Sequence, residues 1–595
     1  MKRKNIFGKV FFIISFLVVS LSPLMAQVAA DPNDSFYVDA LRWELQGLIP
    51  NLPEIRPYSL QLVKSILETV MGSDDEIAAN EAKIYYDRYF GRAIRVGLET
   101  GFYGEISEDF EKQLDINPVI YGNAEVLENT TVSFEATPLL STGIAGQEIK
   151  KKYSAPKYDS ISDSLEVSKF NLYTPYNAVA AYGTDEIYFQ AGLNRNSYGN
   201  ILDTGIAIGA TSPHVGSFVF TINKEKFNYQ LATFLLSAST SSGKGSYPTK
   251  YYYFHSLRYS FTDKFDFSVY ESAISGPDFS LRYLMPIVPF MAIQQVSGVS
   301  NDNLLLGFQI SYKPTNGVKI FGNIMADDMG FNDLVKLKFD TKLKMAVEAG
   351  IQYVPTGNSL CKIFSVDYTF LAPYMYSHAM YDAQNKTLPM SEPNFQNYTN
   401  GKVSFGSTIS PNSDRIRFSL QLQPAKNLKI DIGSFVVRHG NINETYFKKA
   451  IKNGKVVNYD AYNCLEQYLT SDYGSLTDGS IFDFPNAGNG YFNYPNHNFL
   501  FLDNTTNYVC YLNEVGASYS FNFKNKSYLV CGLEYAFQFE HNVGVENQMF
   551  SADSSLKNAS EDEIIKVLNN QYNQWKANLR DKLTNYLTLS IKYIY

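Results

Sequence analysis

Cysteine, histidine and tryptophan are scarce in this chain of 595 residues, which has 4 Cys, 6 His and 2 Trp. Cys361, Cys464, Cys510 and Cys531 lack metal-ligand spacing, and the histidines form no constellation with them, so zinc-type sites are not expected. An exported chain can form disulfides, but Cys510 and Cys531 flank a turn at Lys524–Lys526 asymmetrically and should not face each other. There is no Gly-x-Ser-x-Gly elbow and no His-Glu-x-x-His signature. Catalysis, cofactors and metals are therefore not expected, although a triad assembled from distant residues stays open. Past residue 30 no apolar run approaches the ~18 residues of a membrane helix. The longest run, Leu284 to Ile293, contains two prolines. Excess positive charge is absent too: the formal charge is −8, and removing the four basic residues before residue 10 takes it to −12. An acidic chain argues against nucleic acid as a partner.

The four basic residues are Lys2, Arg3, Lys4 and Lys9, ahead of a short apolar core from Val10 to Val19 and small residues at Ala26 and Ala30. This is the layout of a secretory signal peptide over residues 1–30. No Cys lies near the cleavage point, so no acylation is expected there. Residues 31–90 then place apolar side chains at helical spacing in three runs, starting at Asp39, Ser59 and Glu76. They read either as an independent periplasmic bundle or as a plug on the rest of the chain.

From about residue 91 the period changes to two. Arg415-Ile-Arg-Phe-Ser-Leu-Gln-Leu-Gln alternates without a fault, as do Lys264-Phe-Asp-Phe-Ser-Val, Val335-Lys-Leu-Lys-Phe-Asp and, nearly, the run from Leu529 to Glu540. A membrane barrel demands this repeat, because one strand face meets lipid and the other a wet lumen. The 45 Tyr and 42 Phe suit aromatic girdles at the rims, although composition alone also fits a secreted β-rich globular protein. Short turns such as Lys313-Pro-Thr-Asn-Gly and Pro424-Ala-Lys-Asn join the runs. At the end, Leu587, Leu589, Ile591, Tyr593 and Tyr595 alternate with Thr588, Ser590, Lys592 and Ile594. This looks like the terminal strand read by the outer-membrane barrel assembly machinery. The expected fold is an all-antiparallel transmembrane β-barrel over 91–595, embedded in outer-membrane lipid. Two long segments, about 439–506 and 542–582, fall on the extracellular side, the second carrying a helix from Glu561 to Leu583.

In order along the chain stand Leu41-Arg-Trp-Glu-Leu-Gln with Arg56-Pro-Tyr-Ser, then Tyr252-Tyr-Phe-His-Ser-Leu-Arg with Glu271. Next are Arg282-Tyr-Leu-Met-Pro, Asn301-Asp-Asn-Leu-Leu-Leu-Gly, Phe321-Gly and Asp327-Asp328. Later come Ala372-Pro-Tyr-Met-Tyr-Ser-His, Phe405-Gly-Ser with Asp414, and Arg438-His-Gly. In this pattern the chain resembles the capsule-assembly Wzi family of outer-membrane proteins, as a divergent member. Where that family has a Trp-Gly-Pro-Gly-like turn, this chain has Gly192-Leu-Asn-Arg-Asn-Ser-Tyr-Gly-Asn. The resemblance implies about 18 strands closed on the periplasmic side by a helical bundle. It also implies a lectin-like role in holding capsular or other extracellular polysaccharide.

Sugar faces pack on aromatic rings while Asn and Asp pair with hydroxyls. Tyr491, Phe492, Tyr494 and Asn496 of the aromatic, Asn-rich segment 483–499, with Trp575, are thus the candidate ligand-binding residues; self-packing of the segment is the equal alternative. His255, Arg258, Glu271, Asn301, Asp302, Asp327 and Asp328 are expected to form a polar network in the lumen, bracing strands more than binding ligand. Three readings remain: a polysaccharide-anchoring barrel, an outer-membrane channel for small solutes, and a membrane-embedded hydrolase.

Overall fold

Strict alternation gives each strand one face that can lie against lipid and one that must find polar partners, and a sheet of such strands loses its open edges only by closing. The computed structural model describes residues 31–144, 147–154, 165–238, 248–297, 302–327, 344–357, 359–377, 393–401, 403–470, 501–502, 505–551 and 553–595. The expected signal peptide, the 335–340 run, and Tyr491, Phe492, Tyr494, Asn496, Asn301 and Asp328 lie outside the described residues.

Among the described residues eighteen antiparallel strands close into a barrel. They are β1 (Ile94–Ile106), β2 (Phe110–Leu127), β3 (Thr130–Ala136), β4 (Tyr176–Gly183), β5 (Ile187–Asn194), β6 (Val215–Lys224), β7 (Phe227–Ser237), β8 (Thr249–Thr262) and β9 (Phe265–Ser275). The circle continues with β10 (Asn303–Tyr312), β11 (Val318–Asp327), β12 (Lys344–Tyr353), β13 (Cys361–Leu371), β14 (Ser413–Ala425), β15 (Leu428–Gly440), β16 (Asn507–Asn522), β17 (Tyr528–Val543) and β18 (Arg580–Ile594). Each strand pairs with its sequence neighbours, and β18 closes on β1 through Tyr593↔Leu98 and Leu589↔Phe102. Short strands Leu139–Ser141 and Phe170–Tyr173 extend β3 and β4 beyond Pro138 and Pro175, which cannot donate to the ladder.

The outer wall is apolar. Leu587, Leu589, Ile591 and Tyr593 on β18, and Leu257, Tyr259 and Phe261 on β8, are exposed, as a surface facing acyl chains requires. One mouth has only short turns, including Lys313–Gly317 and Lys524–Lys526, while the long connections all emerge at the other. Cys510 lies opposite Glu540, and Cys531 opposite Tyr519, so these two thiols do not face each other.

Helices α1 (Ser35–Gln46), α2 (Leu60–Met71) and α3 (Glu76–Phe90) sit at the short-turn mouth. The side chains of Asp34, Ser59 and Asp75 accept their first free N–H groups. The bundle has its own core of Phe36, Trp43, Val63, Leu67 and Ala82. Helix α4 (Phe290–Ser297) belongs to the β9–β10 connection. Helices α5 (Ile442–Ala450) and α6 (Tyr459–Thr470) lie in the β15–β16 loop, and α7 (Glu561–Ala577) in the β17–β18 loop. Helix α7 starts at Glu561 with a capping box from Ser560 and Glu563, but it stops at Ala577 and not at the expected Leu583. Leu583 is instead an exposed outward residue of β18, where period two already governs.

Candidate functional site

The helical bundle docks on the short-turn mouth, and α1 carries the charges that seat it. Asp39, Arg42 and Glu44 are all buried on a helix whose other buried residues include Phe36, Tyr37 and Trp43. Lys429 Nζ donates to Asp39 Oδ2 at 3.0 Å, and the Tyr85 hydroxyl donates to the same oxygen at 2.7 Å. Burial would raise the Asp39 carboxyl, but Lys429 and Arg42 outweigh it and hold the group well below the usual carboxylate range. Glu44 behaves alike: burial opposes its charge, yet Lys319 and Lys313 draw it down to about 2. Lys313 Nζ is 2.8 Å from Glu44 Oε1, so the β10–β11 turn is clamped to α1. Gly317, at φ +84°, brings its N–H to the Leu45 carbonyl at 2.6 Å in the same turn.

Past α1 the chain enters the lumen. Arg258 donates to the Leu52 carbonyl at 2.6 Å, and Glu54 accepts from Ser268 at 2.9 Å and from Gln309. Ile55 and Arg56 form a two-residue antiparallel pair with Tyr198 and Ser197 of the β5–β6 connection, which folds inward from the other mouth. Tyr198 rests on Phe254 and Tyr270, with ring centroids 4.8 and 5.0 Å away. Beyond them Tyr252, Tyr376, Tyr398 and Phe405, all fully buried, fill the lumen around the carbonyls of Ile206 and Ala207. Asp203 on the same inward loop pairs with Arg415 and Arg417, each at 2.9 Å. Its burial is outweighed by those two guanidiniums, which lower its carboxyl to about 2. A cavity of about 200 Å³ remains between α1 and this loop, lined by Asp34, Tyr37, Leu41, Asp203, Gln352 and Arg417.

The opposite wall is wetter. Glu99 and Lys592 pair at 3.0 Å with each about one-third exposed. Glu534 is 37% exposed in the same half of the lumen. A strap over residues 147–154 crosses this half, Lys151 reaching Glu514 at 2.5 Å and Glu534 at 2.6 Å. Lys152 meets Glu540 at 2.8 Å, and Tyr153 sits on Phe435 at 5.9 Å.

At the long-loop mouth Glu444 of α5 is the hub. Its carboxylate accepts from Lys448 at 2.5 Å, from the Thr506 N–H at 3.0 Å and hydroxyl at 2.9 Å, and from the Tyr572 hydroxyl at 3.0 Å. Phe447 stacks on Tyr572 at 4.8 Å, which ties α5 to α7. Trp575, expected on a sugar-binding face, is only 5% exposed and packs near Tyr572, so the structure places it inside the cap. Tyr459, at the start of α6, is an exposed ring of that cap.

The expected lumen network is partly wrong. Arg258 faces the lumen, as does Asp327, which pairs with Lys344 at 3.2 Å. His255 and Glu271 do not. They lie opposite one another in the β8–β9 register with parity opposite to Phe254 and Tyr270, so both point outward. His255 Nε2 is 3.3 Å from Glu271 Oε2, and its ring stacks on Phe290 of α4 at 4.2 Å. Asp302 also belongs to this outer cluster, accepting from Tyr283 at 2.6 Å. The physical reason is the dyad repeat: a residue one step from a lumen residue must face the other way.

No family model matches the chain, and no curated protein matches it. Among solved structures the chain is similar to Wzi, an outer membrane protein involved in group 1 capsule assembly in Escherichia coli and described as a carbohydrate-binding β-barrel. The identity is 10%, with 96% of this chain and 99% of that chain covered, at a TM-score of 0.48. It is also similar to the outer membrane protein OprD of Pseudomonas aeruginosa (9% identity, 84% and 93% covered, TM-score 0.37). A third is OccAB2 of Acinetobacter baumannii (10% identity, 84% and 98% covered, TM-score 0.37). The barrel itself is read from its own strand pairing.

Proposed function

We propose that this chain is an outer-membrane surface protein, exported by its N-terminal signal, that holds extracellular polysaccharide at the cell surface as a divergent Wzi-like protein. The short-turn mouth and its helical plug face the periplasm, and the α5–α7 cap faces outward. The observation that carries the reading is the meeting of Ile55 and Arg56, rising from one mouth, with Ser197 and Tyr198, descending from the other. A lumen crossed by this contact and packed by Tyr252, Tyr376 and Tyr398 is suited to a rigid pedestal and ill suited to free diffusion. The ordered motifs from Leu41 to Gly440 support the polysaccharide class, and the exposed Tyr459 is a ring on which a sugar face would stack.

The reading includes no catalysis. Ser413 meets His439 Nδ1 at 2.7 Å, but both residues are buried. In serine triads the hydroxyl meets Nε2 and an acid orients Nδ1. A second reading, a channel for small solutes, is favoured by the solvent-reached pairs Glu99–Lys592 and Lys151–Glu534. Retention of the full-length protein in nanodiscs on immobilised surface polysaccharide from its own cells separates the two. Specific retention, weakened by Tyr459→Ala, is expected; no retention together with solute uptake by proteoliposomes would favour the channel.

A further inference from the structure

The β9–β10 connection leaves the long-loop mouth and turns back down the outside of the barrel. Tyr229, an outward side chain three residues from the short-turn end of the eleven-residue β7, offers its hydroxyl to the Ile287 N–H at 3.2 Å. Tyr229 shares its register row with Leu257, Val269 and Phe308, all apolar and outward. The connection therefore runs within the apolar belt, where irregular backbone is normally excluded because water cannot satisfy it.

Several of its backbone N–H groups are absent or find a partner. Pro277, Pro286 and Pro289 have no N–H to satisfy. The Ser280 N–H donates to the Tyr253 hydroxyl at 2.7 Å, and the Phe290 N–H to Glu271 Oε2 at 2.5 Å. Those of Ala292 and Ile293 return to the Pro289 carbonyl at 2.9 and 3.1 Å. Tyr283 packs on Tyr253 at 4.9 Å and on Phe290 at 5.1 Å, which seals the inner side. On the outer side Met285, Ile287 and Val288 are exposed, Ile287 by 74%, and no charged residue occurs from Tyr283 to Ile293. Ile287 also sits at φ +71°, a backbone state that a β-branched residue keeps only when its surroundings impose it. Polar side chains are costly on a lipid-facing wall. Here they clasp the connection.

We propose that residues 283–293 form a lipid-embedded arm, held on the outer wall by Tyr229, His255 and Glu271, with Met285 to Pro289 presented to acyl chains of the bilayer. The occupant is lipid because the exposed face continues the barrel's own apolar belt without a polar break.

The test is fluorescence of Ile287→Trp in the full chain, reconstituted into phosphatidylcholine vesicles with bromine at shallow, middle or deep acyl positions. The parent, with Trp43 and Trp575 only, supplies the background. Middle or deep bromines are expected to lower the added emission roughly twofold while aqueous iodide leaves it unchanged. Quenching by iodide would overturn the proposal, and so would quenching by neither reagent, which would mean a protein partner or a second copy covers the face. Should Ile287→Trp fail to fold, Val288→Trp, already 41% exposed, gives the same reading. Glu271→Gln keeps an oxygen for the Phe290 N–H and should preserve the bromine quenching. Glu271→Ala should shift the arm toward iodide, and equal behaviour of the two variants would remove Glu271 from the clasp.

Discussion

Lys429, near the start of β15, reaches the Asp39 carboxylate at 3.0 Å although 390 residues separate the two. The same carboxylate holds Arg42 and Tyr85, so a single acid on α1 joins the plug bundle to the barrel rim. Asp39→Ala would leave Lys429 and Tyr85 without their shared acceptor while Arg42 keeps Glu81, and it is expected to loosen the helical bundle by about 2–3 kcal/mol. Amide exchange should show it as lost protection over Ser35–Gln46 while the barrel strands keep theirs. Unchanged protection there would mean the bundle is held by its apolar core alone.

Low pH should undock the plug before it unfolds the barrel. Glu44 ordinarily titrates near 4.5 and is lowered to about 2 in the folded chain, burial being outweighed by Lys319 and Lys313. A lowered carboxyl contributes stability that is complete above its unfolded value and lost as pH falls toward its folded one. Asp39 and Asp203 are shifted the same way. Protease access to the α1–α2 connection is therefore expected to rise as pH drops from about 4.5 toward about 2. Glu44→Gln should flatten that dependence, and access that rises on the alkaline side would contradict the assignment.

Truncating Tyr198 removes the ring shared by Phe254 and Tyr270 and the hydroxyl that meets Glu54 at 3.2 Å. Tyr198→Ala is expected to destabilise the folded chain by about 3–5 kcal/mol. The midpoint of denaturant unfolding in detergent checks this.

Glu444→Ala leaves Lys448 without its carboxylate and Tyr572 without its acceptor. A loss of about 2–3 kcal/mol confined to the cap is expected. Limited proteolysis should then cut within α5 or α7 while the heat-dependent gel shift of the barrel persists. Loss of that shift would make Glu444 part of the barrel's own stability.

The barrel was legible because its constraint is local. Arg415, Arg417 and Ser419 alternate with Ile416 and Phe418, and two residues suffice to show which face is which. The facing of a single residue is more easily mistaken: one step separates His255 from Phe254 and Ser256, and that step moves it from the lumen to the outer wall. The N-terminal bundle was legible as helices but its seat on the barrel was not, because the charges that dock it find partners hundreds of residues away. Asp39, Arg42 and Glu44 on a largely apolar helix were the available signal: three charges with no polar face to occupy must be paired inside the protein. The inward fold of residues 195–214 left little trace, since Gly, Ser and Asn read as an ordinary surface loop until Arg56 and Arg415 are placed against them.

Conductance of the refolded full-length protein in a planar bilayer shows whether the barrel is closed by its own chain. A silent membrane is expected, because Ile55 and Arg56 meet Tyr198 and Ser197 across the lumen. Steady conductance from the intact protein would contradict it and make the wet wall of Glu99, Lys592 and Glu534 a pathway.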